Sequence, residues 1–295
     1  MASEIINQAE VRSEPIEAPS GKQAKDENFP VGSLLISKEL RPHVAIYYAF
    51  ARAGDDIGDD PTLSPDEKVR RLTAFESALL NPENAPLGSQ KAVRLNESLK
   101  MRGVSLERGR KLLDAFRQDA VKNRYANWDE LIDYCTKSAD PVGRYLLDLH
   151  DEDPTAYKNS DALCTVLQIL NHMQDCGEDK AEINRVYIPA DYLADVGLDD
   201  GVLDLKKSPT EFISVLNRML DECEPLLLLC KELPANLKNR HLAAESTVIV
   251  DLAHRLANHL RKGDPLKNRI KLTKIDFILA GLKGLYCFAT HRVGR

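Results

Sequence analysis

The sequence predicts an all-α protein organised as a single domain. Three observations point there. Apolar residues recur at helical spacing from Phe29 onward. Gly and Pro number only 15 each in 295 residues and fall mostly between the periodic segments. Short alternating runs rich in β-branched residues are scarce.

Taken in chain order, residues 1 to 27 are polar, carry Pro15, Pro19 and Gly21, and have the composition of a disordered tail. They lack the charged-then-apolar order of a signal peptide. Helices are expected at about 37–60, 65–80, 89–101, 105–124, 127–149, 160–181, 208–232, 235–262 and 272–288. Pro61, Pro82, Pro86, Gly103 and Pro154 separate the first of these. The stretch from Pro189 to Pro209, with Gly197 and Gly201, reads as a long loop holding a helical turn. No Ser/Gly-rich linker divides residues 28–295, so they are read as one domain.

Composition removes several function classes. Net charge is −6 and no basic block stands out, so a nucleic-acid partner is not expected. The six cysteines form no C-x-x-C pair and fit no zinc template, which suits a reduced, cytoplasmic chain. No run of 18 apolar residues occurs, so no segment is expected to span a bilayer. The apolar segment from Asp276 to Phe288 is read as a core helix, with a cap near a membrane surface as the alternative.

Two segments break the rule for buried helices. The run Val44 to Ala51 is apolar all round, as in a helix buried in a large core. It then meets Arg52 and the acids Asp55, Asp56, Asp59 and Asp60. At about 100° per residue, Tyr48, Arg52, Asp55 and Asp59 fall within about 60° of one another. The second segment, Leu163 to Asp179, is also apolar in its body. Gln168, Asn171, Asp175 and Asp179 share one face of it, within about 80°. His172 lies about 100° from Asn171 and is left out of this set. Buried charge is costly unless it is paired or metal-bound, so two such stripes suggest a wet functional cavity between them. The plain alternative for the first is an acidic helix end before Pro61, where acids would oppose the helix dipole.

At these residues the chain resembles the squalene/phytoene synthase family of head-to-head isoprenoid synthases. The likeness covers nearly everything from Asn28 to about Gly284. It is carried by the first acidic motif from Arg52 to Asp59, the segment Tyr134 to Arg144, the second motif from Gln168 to Asp179, and Arg185-Val186-Tyr187-Ile188-Pro189. The five residues between Asp179 and Arg185 are one more than the family's usual spacing. Asn28 to Ser33, Leu40 to Val44 and Ala244 to Ala257 look most like the hopanoid-pathway branch, whose members turn presqualene diphosphate into hydroxysqualene.

The resemblance implies a class I isoprenoid synthase helical bundle around a central cavity, acting on a small-molecule isoprenoid diphosphate. It implies Asp55, Asp59, Asp175 and Asp179 as ligands of a small Mg²⁺ cluster. Tyr48, Arg52, Arg185 and Tyr187 would meet the diphosphate, and Ala139, Val142 and Gly143 would let the lipid pass close to the backbone. Tyr134 would face a carbocation, while Gln168 and Asn171 orient aspartates or a water. Asp119 and Tyr125 match a family Asp and Tyr. No NADPH is expected for the hydroxysqualene branch. The alternatives are condensation of two farnesyl diphosphates, a class I terpene cyclase, and a catalytically silent lipid-binding or assembly relative of the same fold. A lipidic substrate also suits peripheral association with the inner membrane surface and functional coupling to other squalene-pathway enzymes.

Overall fold

A computed structural model of the chain describes Ile16 and residues 36–291. The expected tail therefore lies outside the described residues except for Ile16, which is buried. The described residues are helical and include no strand, in agreement with the predicted all-α class. They cluster into two compact units, residues 38–121 and 122–291, with 36–37 counted in the second.

The first unit is four helices: α1 (Arg41–Asp59), α2 (Pro65–Leu80), α3 (Gln90–Arg102) and α4 (Glu107–Val121). Local sequence sets their ends. Ser64 accepts a hydrogen bond from the Glu67 amide, and Pro65 supplies a ready-made first turn for α2. Gly103 stops α3 in the left-handed conformation (φ 65°). Between the helices Phe50 stacks on Phe75 at 5.0 Å, among the fully buried Leu72, Leu79, Leu95, Leu99, Leu112 and Leu113. Burying each such side chain contributes about 1.5–3 kcal/mol.

The second unit is built on one long helix. Its elements are α5 (Trp128–Ser138), α6 (Asp140–Leu149), α7 (Tyr157–Ile183), the short α8 (Ala190–Ala194), α9 (Thr210–Cys230), the short α10 (Leu233–Asn236), α11 (Arg240–Lys262) and α12 (Lys274–Thr290). Helices α5, α6, α9 and α11 all pack on the 27-residue α7. The expected helix over 127–149 is two helices: Asp140, followed by Pro141 in the first turn, starts a new one directly after the break at Ala139. All six cysteines are free.

Two features of this unit escape helical periodicity. The segment 123–126 pairs with 186–191: the Val186 amide donates to Asn123 O, and the Ala190 amide to Tyr125 O, both at 2.9 Å. Helix α12 is the other. Of its 17 residues only Asp276, Ala280 and Gly284 are buried, which corrects the core-helix expectation. Small residues form its packed face, so α12 lies close on α11: a Cβ at Gly284 would meet Val248 and the Ala244 carbonyl.

Candidate active site: two acidic helix segments

In the first unit, α1 carries its acids to a point where α4 comes unusually near. Gly54 and Gly58 make the approach possible. A Cβ at Gly54 would sit 2.7 Å from the Phe116 ring, and one at Gly58 would touch the Phe116 backbone. One turn beyond Phe116 lies the buried Asp119, which thereby joins Asp55. Arg52 holds this group from one turn upstream. Its Nε and Nη2 reach Asp56 Oδ1 at 2.8 and 2.7 Å, and its Nη1 reaches Asp55 Oδ2 at 3.0 Å.

Burial, then the charge of Asp59, pushes the Asp55 carboxyl up to about 7, against the pull of Arg52; Asp119 and Asp56 add to the push. Its side chain keeps 34% of its surface open, so solvent and ions can reach it. A carboxyl crowded by like charge yet accessible is one that a divalent cation would relieve. Tyr48 is half-buried, whereas its neighbour Tyr47 is buried and donates to the Arg108 carbonyl at 2.9 Å.

In the second unit, the acids of α7 have partners from far along the chain. Arg269 grips Asp175 with two nitrogens, Nε to Oδ1 at 2.7 Å and Nη2 to Oδ2 at 2.8 Å. The loop bearing Arg269 is seated on α7 at two points. Gln174 Nε2 donates to the Ile270 carbonyl at 2.5 Å, and Leu266 lies where a Cβ on Gly177 would be 3.2 Å away. Burial raises the Asp175 carboxyl above its usual range, and Arg269 opposes the rise.

The same face of α7 contains His172, which the sequence reading set aside. Gln168 Nε2 lies 3.1 Å from His172 Nε2, and His172 Nδ1 lies 3.9 Å from Asp179. With Nε2 accepting from the amide, the ring proton sits on Nδ1, facing the carboxylate. Burial keeps this imidazole below its ordinary pKa despite Asp179. The signal was present in the spacing: His172 lies within about 40° of both Gln168 and Asp179, and Asn171 was the wrong reference.

Around His172 stands an aromatic group. Its ring stacks on Tyr187 with centroids 3.4 Å apart, and Tyr134 lies 5.6 Å from Tyr187 and 6.1 Å from His172. Tyr125 stacks on Tyr187 at 5.5 Å, and the backbone pairing of 123–126 with 186–191 puts it there. Arg185 is buried, and its Nη1 donates to Tyr187 Oη at 3.3 Å. The end of α7 delivers Arg185 directly. Asn184 takes the left-handed conformation (φ 51°), and the Arg185 amide returns to the Asp179 carbonyl at 3.1 Å. Arg124 clasps Asn184 through both its carbonyl and its side chain.

The remaining predicted residues sit at the start of α6 and on α7. Ala139 is buried at the break between α5 and α6. Gly143 is a point of close helix contact, where a Cβ would collide with Ser160 Oγ and Cys164 Sγ of α7. Val142 is exposed at 37%. Asn171 and Gln168 are half-buried on α7.

The donor set bears on the implied metal. Among the described residues, no group of three or more His, Cys, Asp or Glu side chains forms a ready metal cage. Mg²⁺ does not require one: it uses one or two carboxylates and fills its octahedron with water and phosphate oxygens. All-oxygen pairs at i, i+4, each with a carboxyl raised by burial and, at Asp55, by like charge as well, fit that ion.

Comparisons with known proteins agree with these motifs. The sequence profile described as squalene/phytoene synthase matches residues 22–276. A hydroxysqualene synthase of Rhodopseudomonas palustris is 41% identical, covering 90% of this chain and 89% of its own length. One from Sinorhizobium fredii is 38% identical over 91% of both. The crystal structure of a squalene synthase from Alicyclobacillus acidocaldarius is 28% identical with a TM-score of 0.70, covering 79% of this chain and 87% of that one. The chain belongs to the squalene/phytoene synthase family.

Proposed function

We propose that the protein converts presqualene diphosphate into hydroxysqualene. The carbon–oxygen bond to diphosphate breaks, water adds to the resulting cation, and diphosphate and a proton leave. The observation that carries this reading is the 38–41% identity to hydroxysqualene synthases across about nine-tenths of both partners. As expected for a member of this family, the chain is an enzyme acting on an isoprenoid diphosphate.

Asp55 and Asp59 on α1, and Asp175 and Asp179 on α7, are the residues that would hold Mg²⁺. When bound, the ion would stabilise negative charge building on the departing diphosphate. Arg52, Arg185, Tyr48 and Tyr187 would donate hydrogen bonds to the phosphate oxygens, with Arg185 and Tyr187 already joined to one another. The ring of Tyr134, packed beside Tyr187 and His172, would lie toward the carbocation, where an aromatic π-face attracts positive charge. Gln168 and Asn171 would orient an aspartate or the one water that is admitted. Ala139, Val142 and Gly143 would border the hydrocarbon chain. Residues 28–295 would act together as the synthase domain. No nicotinamide takes part, because water rather than hydride ends the reaction. A cytoplasmic location, with the lipidic product passed to other enzymes of squalene metabolism, completes the reading.

The test is product analysis by mass spectrometry. Purified protein with Mg²⁺ and presqualene diphosphate, without nicotinamide, should yield hydroxysqualene. The second reading, condensation of two farnesyl diphosphates, is favoured by the likeness to a solved squalene synthase. Consumption of farnesyl diphosphate with presqualene diphosphate left intact would establish it and overturn the first.

A further inference from the structure

Helix α12 exposes an amount of apolar surface that folding alone does not explain. Ile275, Ile278, Leu279, Leu282, Leu285 and Tyr286 are 40–72% exposed. With Phe277 they make up seven of the fourteen large apolar side chains classed as exposed among the described residues. Scattered single exposures are ordinary, but a contiguous patch marks an interaction site.

The arrangement of the patch indicates what it meets. At about 100° per residue, those six side chains fall in an arc of about 120°, centred opposite the packed face of Asp276, Ala280 and Gly284. Lys274 lies at one edge of the arc and Lys283 at the other by the same wheel. Just before the helix come Lys267, Arg269 and Lys271, all exposed. The nearby acids are turned inward. Asp276 is buried against Thr273, Arg255 and His259, and Asp264 is held by Ser208. Asp251 is tied to Arg255 and Lys283. With Lys283 held by Asp251 and Arg269 by Asp175, the positive charge bordering the apolar arc is that of Lys267, Lys271 and Lys274 at and before the start of the helix. Beside it, between α11, α12 and α10, opens a cleft of about 710 Å³ bordered by Val250, Leu282, Tyr286 and Lys231.

A second copy of this chain would bring an equally basic frame to the same patch, and like charges would meet at the rim. An apolar strip edged by lysines instead suits the boundary between acyl chains and anionic headgroups, where the stems of the lysines lie in the apolar layer and their amines reach phosphate. No described helix is long and apolar enough to cross a membrane, so α12 would lie in the surface rather than traverse it. We propose that the outer face of α12, with the basic segment 267–274, docks the protein on anionic phospholipid bilayers.

Vesicle flotation of the full chain tests this. Vesicles of phosphatidylcholine containing about one-third phosphatidylglycerol should carry the protein, phosphatidylcholine alone should carry much less, and raised salt should release it. The double variant Leu282→Glu, Leu285→Glu should lose at least ~10-fold in vesicle affinity. It should retain wild-type turnover in detergent and an unchanged circular dichroism melt, since both side chains already face solvent. Lys271→Glu with Lys274→Glu should remove the preference for the anionic vesicles. Failure of the wild-type chain to bind either vesicle overturns the proposal, as does equal binding by the double variant. A wild-type dimer that the double variant converts to monomer, without vesicle binding, overturns it in favour of self-association.

Discussion

The two acidic segments use the same residue pattern and secure it in opposite ways. On α1 the cation is local: Arg52 reaches Asp55 and Asp56 from three and four residues away. On α7 the cation is remote, since Arg269 comes back across 94 residues to grip Asp175. At the first site burial, then like charge from Asp59 with further pushes from Asp119 and Asp56, raises Asp55 to about 7. The second couples its carboxylates to a stack of rings through His172. One site takes its cation from the helix that carries it; the other takes it from a distant loop and sits beside a backbone pairing.

If both pairs serve the same leaving group, neither can be dispensed with. Asp55→Asn and Asp175→Asn should each reduce turnover by at least ~10²-fold, the scale of losing one stabiliser of transition-state charge. Because Asn is nearly isosteric, circular dichroism should show both variants folded. A wild-type rate in one variant would break the comparison by removing that carboxylate from the metal-binding set.

This contrast also explains what could be read in the sequence. Helix positions were legible because periodicity and caps are local. Gly103 and Ser64 mark their helix ends in the chain itself, and α2 was placed at 65–80 as found. The acids of both motifs and Arg52 were legible for the same reason. Arg269 was not, because nothing near residue 269 announces that Gln174 and Gly177 will seat its loop. The pairing that sets Tyr125 beside Tyr187 is a short extended contact in a helical chain, with no period to detect. Asp119 could be matched to a family position, but its approach to Asp55 rests on two glycines facing Phe116. His172 is different. Its spacing carried the information, and only the choice of reference residue hid it.

A smaller effect sharpens the comparison at His172, which has no counterpart on α1. His172→Phe keeps a ring to stack on Tyr187 but removes the nitrogens that face Gln168 and Asp179. Turnover should fall ~10-fold, less than the ~10²-fold expected of a group that itself transfers a proton, since His172 acts through its neighbours, while stability changes by less than about 1.5 kcal/mol. His172→Ala removes the ring as well, and by leaving a cavity should cost about 2–4 kcal/mol. Steady-state rates and urea melts of the two variants separate positioning from packing. A wild-type rate for the Phe variant would reduce His172 to a packing role.

The smallest effect concerns the two arginines without substrate present. Arg269 occupies both oxygens of Asp175 and so competes with any ion for them, whereas Arg52 gives Asp55 one nitrogen and Asp56 two. The Arg269–Asp175 contact is partly exposed, where an ion pair is worth about 1 kcal/mol or less net, whereas Arg52 and Asp56 are more deeply buried. Arg269→Gln should therefore lower the Mg²⁺ concentration needed for half-maximal thermal stabilisation by ~5-fold. Arg52→Gln should lower it less, because Asp56 takes most of that guanidinium. An unchanged Mg²⁺ dependence in Arg269→Gln would separate Asp175 from the ion. A larger gain for Arg52→Gln would show that the crowded pair on α1, not the gripped carboxylate on α7, sets metal affinity.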